Sequence, residues 1–291
     1  MPTENCPLVS ILTPSFNQAE YLPDNLRSVA CQTYPNIEHI VMDGGSNDGS
    51  VAILEAAGES VRWRSEPDEG QSDAINKAFS ASRGEIIGWV NSDDAFFDCR
   101  VIEDVVAFFH ANPAMDVAYG HCLQTTGDGM AIQVLWAPPF DAELLKAVDI
   151  LAQPAVFMRR SSLTEPLLDA SFHFALDYEL WLRMASNGRR FGRIPRILAI
   201  DRHQHERKSS TLKDVHRSDL ERLRPVYDLH LGAEFDRQRS WFYRRQRIMG
   251  ALLIPTIHAE KVAFTPSANL KEGLWRRQIG SRRTTWADEL K

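Results

Sequence analysis

A chain of 291 residues with 44% hydrophobic and 25% charged residues has the composition of a water-soluble globular protein. No run approaches the roughly 20 apolar residues that a membrane-spanning helix needs, and no basic segment followed by an apolar stretch indicates a secretory signal, so we expect a cytoplasmic protein. The formal net charge of −6 is uneven, because residues 1–236 carry −14 and residues 237–291 carry +8.

Short apolar runs alternate with helical patterns through the first half of the chain, which is typical of β-α-β units. The predicted strands cover residues 8–13, 37–42, 61–63 and 85–90, and the predicted helices lie around residues 22–29, 51–54 and 74–81. Gly84 is predicted to end the third helix as the residue after its C-cap. These units predict an α/β fold with a mainly parallel central sheet flanked by helices.

The second half continues this alternation and then loses it. Further strands are predicted at residues 117–119, 132–136 and 197–200, and further helices at residues 101–110, 141–148 and 177–185. From residue 213 onward the strand signals disappear. Arg-rich helices are predicted there, with interruptions at Pro225, Pro255 and Pro266.

The four cysteines are scattered along the chain at positions 6, 31, 99 and 122. None of them forms the C-x-x-C spacing that is typical of zinc ribbons and thioredoxin-like motifs. We therefore interpret all four as reduced thiols in the core or on the surface.

Two adjacent carboxylates follow the strand predicted at residues 85–90. Asp93 and Asp94, together with Asn91 and Ser92, come directly after its carboxyl end, where open α/β sheets bind their ligands. Carboxylate oxygens are the ligands that Mg²⁺ and Mn²⁺ prefer beside phosphate groups. Alternatively, the two acids cap the turn after the strand, because Asp is common in turns.

Motifs that follow one another along the first two-thirds of the chain resemble those of the family 2 glycosyltransferases, inverting enzymes with the Rossmann-like GT-A fold. These motifs are VSILTPSFN (9–17), IVMDGGSNDG (40–49), EPDEGQSDAINK (66–77), GEII (84–87), NSDD (91–94), QPAVF (153–157) with Arg159 and Arg160, and DYELWLR (177–183). The resemblance, which is to the bacterial polysaccharide and O-antigen type, implies a GT-A domain over residues 1–212. Its donor half would reach about residue 120 and its acceptor half would cover 121–212, followed by a basic helical C-terminal extension, 213–291.

The resemblance also implies a nucleotide-sugar pocket, in which a UDP-, dTDP- or GDP-sugar would bind. The residues that match its positions are Thr13, Pro14, Ser15, Phe16, Asn17, Asp43, Gly44, Gln71, Asp73, Asn91 and Asp93. Asp43 would accept a hydrogen bond from an N–H group of the nucleotide base, with a capped turn as the alternative. Asp73 would contact the donor, or would only cap the helix that begins nearby.

A divalent cation and a general base complete the implied site. Asp94 would be the principal ligand of Mn²⁺ or Mg²⁺, with Asp93 and His205 as further ligands. Asp177 would take the proton from the acceptor hydroxyl, because the first turn of a helix holds a carboxylate rigidly and favours its charged form. The alternatives are that Asp177 is only a helix N-cap, or that Glu179 is the base.

These assignments predict a metal-dependent, inverting enzyme that moves a sugar from a nucleoside-diphosphate sugar to a hydroxyl group of a glycan or lipid-linked glycan. Two alternatives stay open. A sugar nucleotidyltransferase usually has a Gly-rich basic loop after its first strand, whereas residues 14–17 contain neither Gly nor a basic residue. A non-catalytic protein of the same fold would bind glycan or a partner, but it would not need both Asp94 and Asp177.

The basic segment 237–291 mixes arginines with aromatic residues. Such a mixture suits the headgroup region of an anionic membrane, so we expect peripheral attachment at the inner face of the cytoplasmic membrane. Nucleic acid is not expected as a partner, because the acidic residues 1–236 would repel it. A solvated helical cover or an oligomer contact is the alternative for this segment.

Overall fold

A computed structural model describes residues 6–203 and 213–253. The strands are β1 (Val9–Ser15), β2 (Ile37–Asp43), β3 (Arg62–Ser65), β4 (Ile86–Trp89), β5 (Ala95–Phe96), β6 (Val117–Thr126), β7 (Ala131–Leu135), β8 (Val156–Arg159) and β9 (Phe191–His203). The α-helices are α1 (Leu22–Ala30), α2 (Ser50–Ala57), α3 (Gln71–Ala81), α4 (Val101–Ala111), α5 (Ala142–Ala147), α6 (Leu176–Ser186), α7 (Lys213–Tyr227) and α8 (Asp236–Leu253). Within the described ranges the strands form one sheet in the order β3-β2-β1-β4-β8-β6-β9-β5, and β7 pairs with β6.

One half of the sheet is parallel. β1 pairs in parallel with β2 and β4, and β2 pairs in parallel with β3. Every residue of β1 is buried, and its apolar side chains divide between two cores, with Val9 and Ile11 in one and Leu12 in the other. Because α3 contributes to one core and α4 to the other, both faces of these strands are covered. The predicted β-α-β units are confirmed here.

The other half of the sheet is mixed. β8 is antiparallel to both β4 and β6, whereas β9 is parallel to β6 and antiparallel to β5. The predicted parallel arrangement is therefore found in the β3-β2-β1-β4 half. Hydrophobic periodicity identifies a strand but not the direction of its neighbour, which long-range pairing decides.

Gly84 has a different role from the one predicted. α3 ends at Ala81, and its C-cap is Ser82, so the prediction that Gly84 follows the C-cap is wrong. A β-carbon at Gly84 would lie 2.6 Å from the backbone nitrogen of Ser10 and 2.8 Å from the carbonyl oxygen of Leu8. Glycine is needed because the chain entering β4 passes directly against the start of β1.

Two of the four cysteines form a disulfide, so the interpretation of all four as reduced thiols is wrong. Cys31 follows α1, Cys99 precedes α4, and their Cα atoms are 5.2 Å apart across 68 positions of sequence. The packing of α1 against β5 brings the two loops together, which spacing along the chain does not show. Cys6 and Cys122 take part in no disulfide among the described residues.

Helices α7 and α8 pack against the elements that precede them in the chain. Leu223 of α7 and Phe242 of α8 are buried in the same core as Leu12. At Gly250 of α8, a β-carbon would overlap the carbonyl oxygen of Val134 in β7, so this glycine permits close approach of helix and strand. Among the described residues, no helix is both long and apolar enough to cross a membrane.

The interruption predicted at Pro225 is wrong. Pro225 lies inside α7, which continues to Tyr227. A proline removes one N–H donor from a helix, and here the loss falls in the last turn, where few further backbone bonds depend on it. Pro255 and Pro266 lie outside the described residues.

Candidate active site

A cavity of about 740 Å³ lies at the carboxyl ends of β1, β2 and β4, and we call it the first cavity. It is lined by Pro14, Ser15, Phe16, Asn17, Gln18, Gly44, Pro67, Asp68, Gly70, Gln71, Ala74, Asn91, Ser92, Asp93, Asp94 and Asp201. Most of these residues belong to the loops that follow the parallel strands or to the beginning of α3. Parallel strands that end at one edge of a sheet gather such loops, which is why the predicted motifs meet here.

Hydrogen bonds join the loop after β1 to the loop after β2. Asn17 adopts a positive φ of 51°, a conformation that Asn tolerates better than most residues. Its backbone N–H donates to the hydroxyl of Ser46 at 2.8 Å, and its side-chain oxygen accepts from the N–H of Asn47 at 3.0 Å. The N–H of Gly44 donates to the carbonyl of Ser15 at 2.8 Å. The wall of the first cavity is thus fixed before any ligand binds.

Ser15 and Phe16 offer two kinds of contact to a ligand in the first cavity. The Ser15 hydroxyl is buried and has no hydrogen-bond partner among the described residues. Such a group costs roughly 1–3 kcal/mol when it stays unsatisfied, so it marks a place for a polar ligand atom. Phe16 is 59% exposed, and its ring presents an aromatic face that a flat ring can stack upon.

Asn91 is the centre of a network of side-chain amides. Its oxygen accepts from the Gln71 amide and from the Trp89 indole N–H, both at 2.8 Å. Its own amide donates to Gln153 at 3.1 Å and to Asp94 at 3.3 Å. The network joins the start of α3, the end of β4 and the turn before β8.

Asp94 joins the NSDD loop to the end of β9. It is 5% exposed, and its Oδ1 accepts from the backbone N–H of Arg202 at 3.0 Å. The buried guanidinium of Arg202 forms an ion pair with Asp24 of α1 at 2.9 Å. The end of β9 is therefore fixed beside the NSDD loop.

A second cavity of about 470 Å³ adjoins the first. Its lining residues are Gln71, Trp89, Asn91, Asp94, Gln124, Leu135, Asp149, Leu151, Ala152, Gln153, Pro154, Phe174, Leu176, Asp177, Asp201 and Tyr243. Gln71, Asn91, Asp94 and Asp201 line both cavities. A molecule in the second cavity would therefore approach a molecule in the first across Asp94 and its neighbours.

Asp177 lines the second cavity from the first turn of α6. The helix begins at Leu176 and its N-cap is Ala175, so the alternative in which Asp177 is the N-cap is wrong. Oδ1 of Asp177 accepts from the N–H of Tyr178 at 2.8 Å. The carboxylate lies where the positive end of the helix dipole favours its charged form.

Asp219 of α7 holds the loop that leads into α6. Its Oδ2 accepts from the N–H groups of three consecutive residues, at 3.2 Å from His173, 2.9 Å from Phe174 and 3.1 Å from Ala175. A buried carboxylate with three backbone donors restrains the segment strongly. α7 therefore positions the start of the helix that carries Asp177.

Residues 10–175, more than half of the chain, match the protein family described as Glycosyl transferase family 2. The chain belongs to this family. The match includes every loop of the first cavity up to the NSDD motif, and it ends two residues before Asp177.

Two relatives from mycobacteria place the chain among proteins named as glycosyltransferases. An uncharacterized glycosyltransferase of Mycobacterium tuberculosis is 38% identical over 104 residues, which cover 35% of this chain and 40% of that protein. A PGL/p-HBAD biosynthesis glycosyltransferase of Mycobacterium bovis is 25% identical over 213 residues, covering 72% of this chain and 81% of that protein. The match to the first relative thus spans less than half of its length.

Two solved structures have a similar fold. S. aureus TarS 1–349, in complex with UDP-GlcNAc, has a TM-score of 0.59 at 19% identity and covers 87% of this chain and 77% of that one. The mannosyltransferase PcManGT from Pyrobaculum calidifontis, in complex with GDP-Man and Mn²⁺, has a TM-score of 0.61 at 16% identity and covers 93% and 80%. At these identities the likeness concerns the fold alone, and the predicted GT-A fold is confirmed.

The structure places eight of the predicted nucleotide-sugar residues in the lining of the first cavity: Pro14, Ser15, Phe16, Asn17, Gly44, Gln71, Asn91 and Asp93. Thr13 does not line it. The side chain of Thr13 is buried, with its hydroxyl 3.0 Å from Nε2 of His39. Burial lowers the pKa of His39 to about 3, so the pair is a neutral contact beneath the cavity.

Asp43 is also absent from the lining of the first cavity. Its carboxylate accepts from the N–H groups of Gly45 and Ser46, at 3.1 and 2.9 Å, and from the hydroxyls of Ser46 and Ser65, at 2.5 and 2.7 Å. Four donors occupy most of the lone pairs of one carboxylate. This geometry favours the alternative in which Asp43 caps the turn after β2.

Asp73 and Glu179 are engaged in local ion pairs. Asp73 lies 2.9 Å from Lys77 one turn along α3 and accepts from the N–H of Glu69, which favours the helix-capping alternative. Glu179 is buried, lies 3.0 Å from Arg183, and accepts from the hydroxyl of Tyr227 at 2.7 Å. Asp177, unlike Glu179, lines the second cavity.

Asp201 lines both cavities but was absent from the predicted site. Its Oδ2 accepts from the amide of Gln124 at 3.0 Å. The sequence places it directly after the strand predicted at residues 197–200, so the rule that ligands bind at the carboxyl ends of strands would have found it.

The described carboxylates fit a divalent cation whose coordination would be completed by oxygens of a bound phosphate group. Asp93, Asp94 and Asp201 line the first cavity and offer the hard oxygen ligands that suit Mg²⁺ or Mn²⁺. Within the described ranges, no group of three or more His, Cys, Asp or Glu side chains is arranged to hold a metal by itself. A cation bound by one or two carboxylates together with phosphate oxygens needs no such group. His205 lies outside the described residues.

Proposed function

We propose that this glycosyltransferase is inverting and metal-dependent, and that it moves a sugar from a nucleoside-diphosphate sugar to a hydroxyl group of a glycan or lipid-linked glycan. One observation carries the proposal: two adjoining cavities share Asp94, and only the second contains Asp177. A donor in the first cavity and an acceptor in the second would meet at this boundary.

The first cavity suits a nucleoside diphosphate. The exposed ring of Phe16 offers a stacking surface for the base, and the Ser15 hydroxyl offers a hydrogen bond. The beginning of the 11-residue helix α3 is part of the cavity lining through Gly70 and Gln71. Free N–H groups and the helix dipole make such a terminus favourable for a diphosphate. The UDP-GlcNAc and GDP-Man in the related folds support a donor of this class.

Asp94 and Asp93, with His205, would hold Mn²⁺ or Mg²⁺, and the cation would stabilise the negative charge of the departing diphosphate. Asp177 accepts the proton of the acceptor hydroxyl while that oxygen forms a bond to the anomeric carbon. The bond from the anomeric carbon to the diphosphate oxygen breaks on the opposite side, so the configuration inverts. The Mn²⁺ in the PcManGT complex supports a divalent cation.

A thermal-shift screen with UDP-, dTDP- and GDP-sugars and with nucleoside triphosphates, each with and without Mn²⁺, tests the donor and the metal. A ligand that binds only the folded state raises the melting temperature, so one nucleotide class should stabilise the protein in a Mn²⁺-dependent way. The donor found is then used for transfer, with the anomer of the product determined by NMR. Retention of configuration, or stabilisation only by nucleoside triphosphates, would refute the proposal, the latter in favour of a nucleotidyltransferase. Donor binding without turnover would indicate the non-catalytic alternative.

We also propose that the extension from residue 213 covers the acceptor side and that α8 lies on an anionic membrane at the inner face of the cytoplasmic membrane. Trp241, Ile248 and Leu252 are 53%, 55% and 65% exposed. Their spacing of seven and four residues places them on one side of the helix, opposite the buried Gly250. The guanidinium of Arg245 lies 5.0 Å from the ring of Trp241 on this side. Apolar residues beside arginine suit the membrane interface.

Flotation of the full chain with vesicles of phosphatidylglycerol and phosphatidylcholine tests this surface. Replacing Trp241, Ile248 and Leu252 together by Ser should reduce flotation, because the apolar area that enters the interface is lost. Val226→Ser is the matched control, since Val226 is 67% exposed on α7. Equal flotation of the triple variant and the control would contradict the proposed membrane surface.

A further inference from the structure

A second carboxyl group, Asp149, lines the second cavity together with Asp177. It lies in the segment between α5 and the turn before β8. Within the described residues this carboxyl accepts one hydrogen bond, which the N–H of Leu151 donates to Oδ1 at 3.0 Å. One oxygen thus fixes the side chain to its own loop, and the group stays available to the cavity.

The surroundings of Asp149 are acidic. Five ionisable residues line the second cavity: Asp94, Asp149, Asp177, Asp201 and Tyr243. No Lys, Arg or His belongs to this lining in the part of the chain that the structure describes. The charge of Asp177, in α6, acts on Asp149, and the charge of Asp149 in turn acts on Tyr178 of α6 and Tyr243 of α8. Arg239, whose charge acts on Tyr243, is bound to the carbonyls of His230 and Gly232.

A second negative charge that acts on a buried carboxyl group disfavours its ionisation. Burial, followed by the charge of Asp177, raises the pKa of Asp149 well above its ordinary value. Asp177 lies in the first turn of α6 and accepts an N–H bond from Tyr178, both of which favour its charged form. Of this pair, Asp149 therefore keeps its proton to the higher pH. Tyr178 and Tyr243 are neutral at neutral pH, because burial raises their pKa values as well.

We propose that Asp149 is a binding residue of the acceptor site, whose neutral carboxyl group donates a hydrogen bond to an oxygen of the acceptor while Asp177 takes the proton of the reacting hydroxyl. The proposal rests on the function proposed above. It gives the two carboxyls of the second cavity opposite roles, one as donor and one as acceptor. The acceptor must then present a second oxygen near its reacting hydroxyl, as the hydroxyl-rich ring of a sugar does.

The experiment compares Asp149→Asn and Asp149→Ala, with octyl glucoside as the probe acceptor and the donor found by thermal shift. Asn keeps a neutral donor group, so its KM for octyl glucoside should stay within about threefold of the wild type. Ala removes the hydrogen bond, so this KM should rise about tenfold, while the KM for the donor stays unchanged. The wild-type KM for octyl glucoside should rise at alkaline pH as Asp149 loses its proton, and that of Asp149→Asn should stay flat. Glu143→Gln, on the exposed side of α5, is the matched control.

Infrared spectroscopy tests the protonation of Asp149 independently of the proposed transfer function. The infrared band of a protonated carboxyl group should be present in the wild type at neutral pH and absent from Asp149→Asn. Absence of this band in the wild type would overturn the proposal whatever the transfer assay gives, and so would an equal loss of acceptor binding in the Asn and Ala variants. If the band is present but Asp177→Asn transfers normally, the proposed base is wrong and the protonation of Asp149 stands.

Discussion

The two cavities are built in different ways. The first is formed by loops that follow β1, β2 and β4 and by the start of α3, so its lining follows the order of the chain from Pro14 to Asp94, with Asp201 as the exception. The second draws residues from Gln71 to Tyr243, which lie on seven or more separate segments. The first depends on a repeated topology, and the second depends on how distant segments pack.

This difference explains where function can vary. A parallel β-α-β arrangement places the ends of its strands at one edge whatever the rest of the chain does. The second cavity includes contributions from α6, whose first turn is held by Asp219 of α7, and from Tyr243 of α8. Substitutions in the C-terminal helices can therefore reshape the second cavity without changing the first.

The largest effect is expected from Asp177, a carboxylate that lines the second cavity and not the first. Asp177→Asn should lower kcat by roughly 10²–10⁴, because a positioned general base contributes about that much. The thermal shift produced by the donor should be unchanged, since Asp177 does not line the first cavity. Near-normal transfer at saturating donor would show that Asp177 is not the base.

Glu179→Gln is the matched control on the same helix. Glu179 is bound to Arg183 and Tyr227, so Glu179→Gln should lower the melting temperature. Its kcat should fall far less than that of Asp177→Asn. A loss of kcat as large as that of Asp177→Asn, without a change in stability, would transfer the role of base to Glu179.

The next effect concerns Asp94, which both cavities share. Asp94→Asn retains an oxygen for the N–H of Arg202 but removes the charge, so the fold should persist. We expect transfer to fall by roughly 10²–10³, the usual cost of losing one electrostatic group at a developing negative charge. The Mn²⁺-dependent part of the donor thermal shift should also disappear. If that part survives in Asp94→Asn and is lost in Asp93→Asn, Asp93 is the principal ligand.

A smaller effect, confined to the first cavity, is expected at Phe16. Because its ring is 59% exposed, Phe16→Ala should hardly change the stability of the protein. The KM for the donor should rise about tenfold, since stacking of a base on an aromatic ring contributes about 1–3 kcal/mol. Phe16→Tyr retains the ring and should restore the KM. An unchanged KM in Phe16→Ala would remove the ring from the donor site.

The smallest effect is expected at Asp73. The hydrogen bond to Lys77 and the N–H of Glu69 hold the pKa of Asp73 below its ordinary value. Its contribution to stability is therefore present above the unfolded pKa of about 4 and is lost as pH falls through the folded value. Asp73→Asn should cost about 0.2–0.5 kcal/mol at neutral pH and nothing in strong acid, measured by thermal unfolding. A tenfold rise in donor KM would instead make Asp73 a donor contact.

Particular residues show how much of the candidate site could be predicted from the sequence. Ser15, Phe16 and Asn91 were predictable because each lies at or just after the end of a strand that periodicity identifies. Asp43 carries the same signal, yet its oxygens are occupied by the turn, and only the geometry of four donors shows this. The sequence does not indicate a role for Asp149, because a single acid between two apolar runs forms no distinctive pattern. Only the structure shows that it lies in the same cavity as Asp177.

The sequence by itself determined the α/β alternation, the family motifs and the collection of polar groups at one edge of the parallel strands, because these depend on local periodicity and on a topology that repeats. The tertiary structure alone decided the mixed half of the sheet, the disulfide between Cys31 and Cys99, and the assembly of the second cavity. These features join positions tens of residues apart. Their energies come from packing and charge between segments, which no local pattern contains.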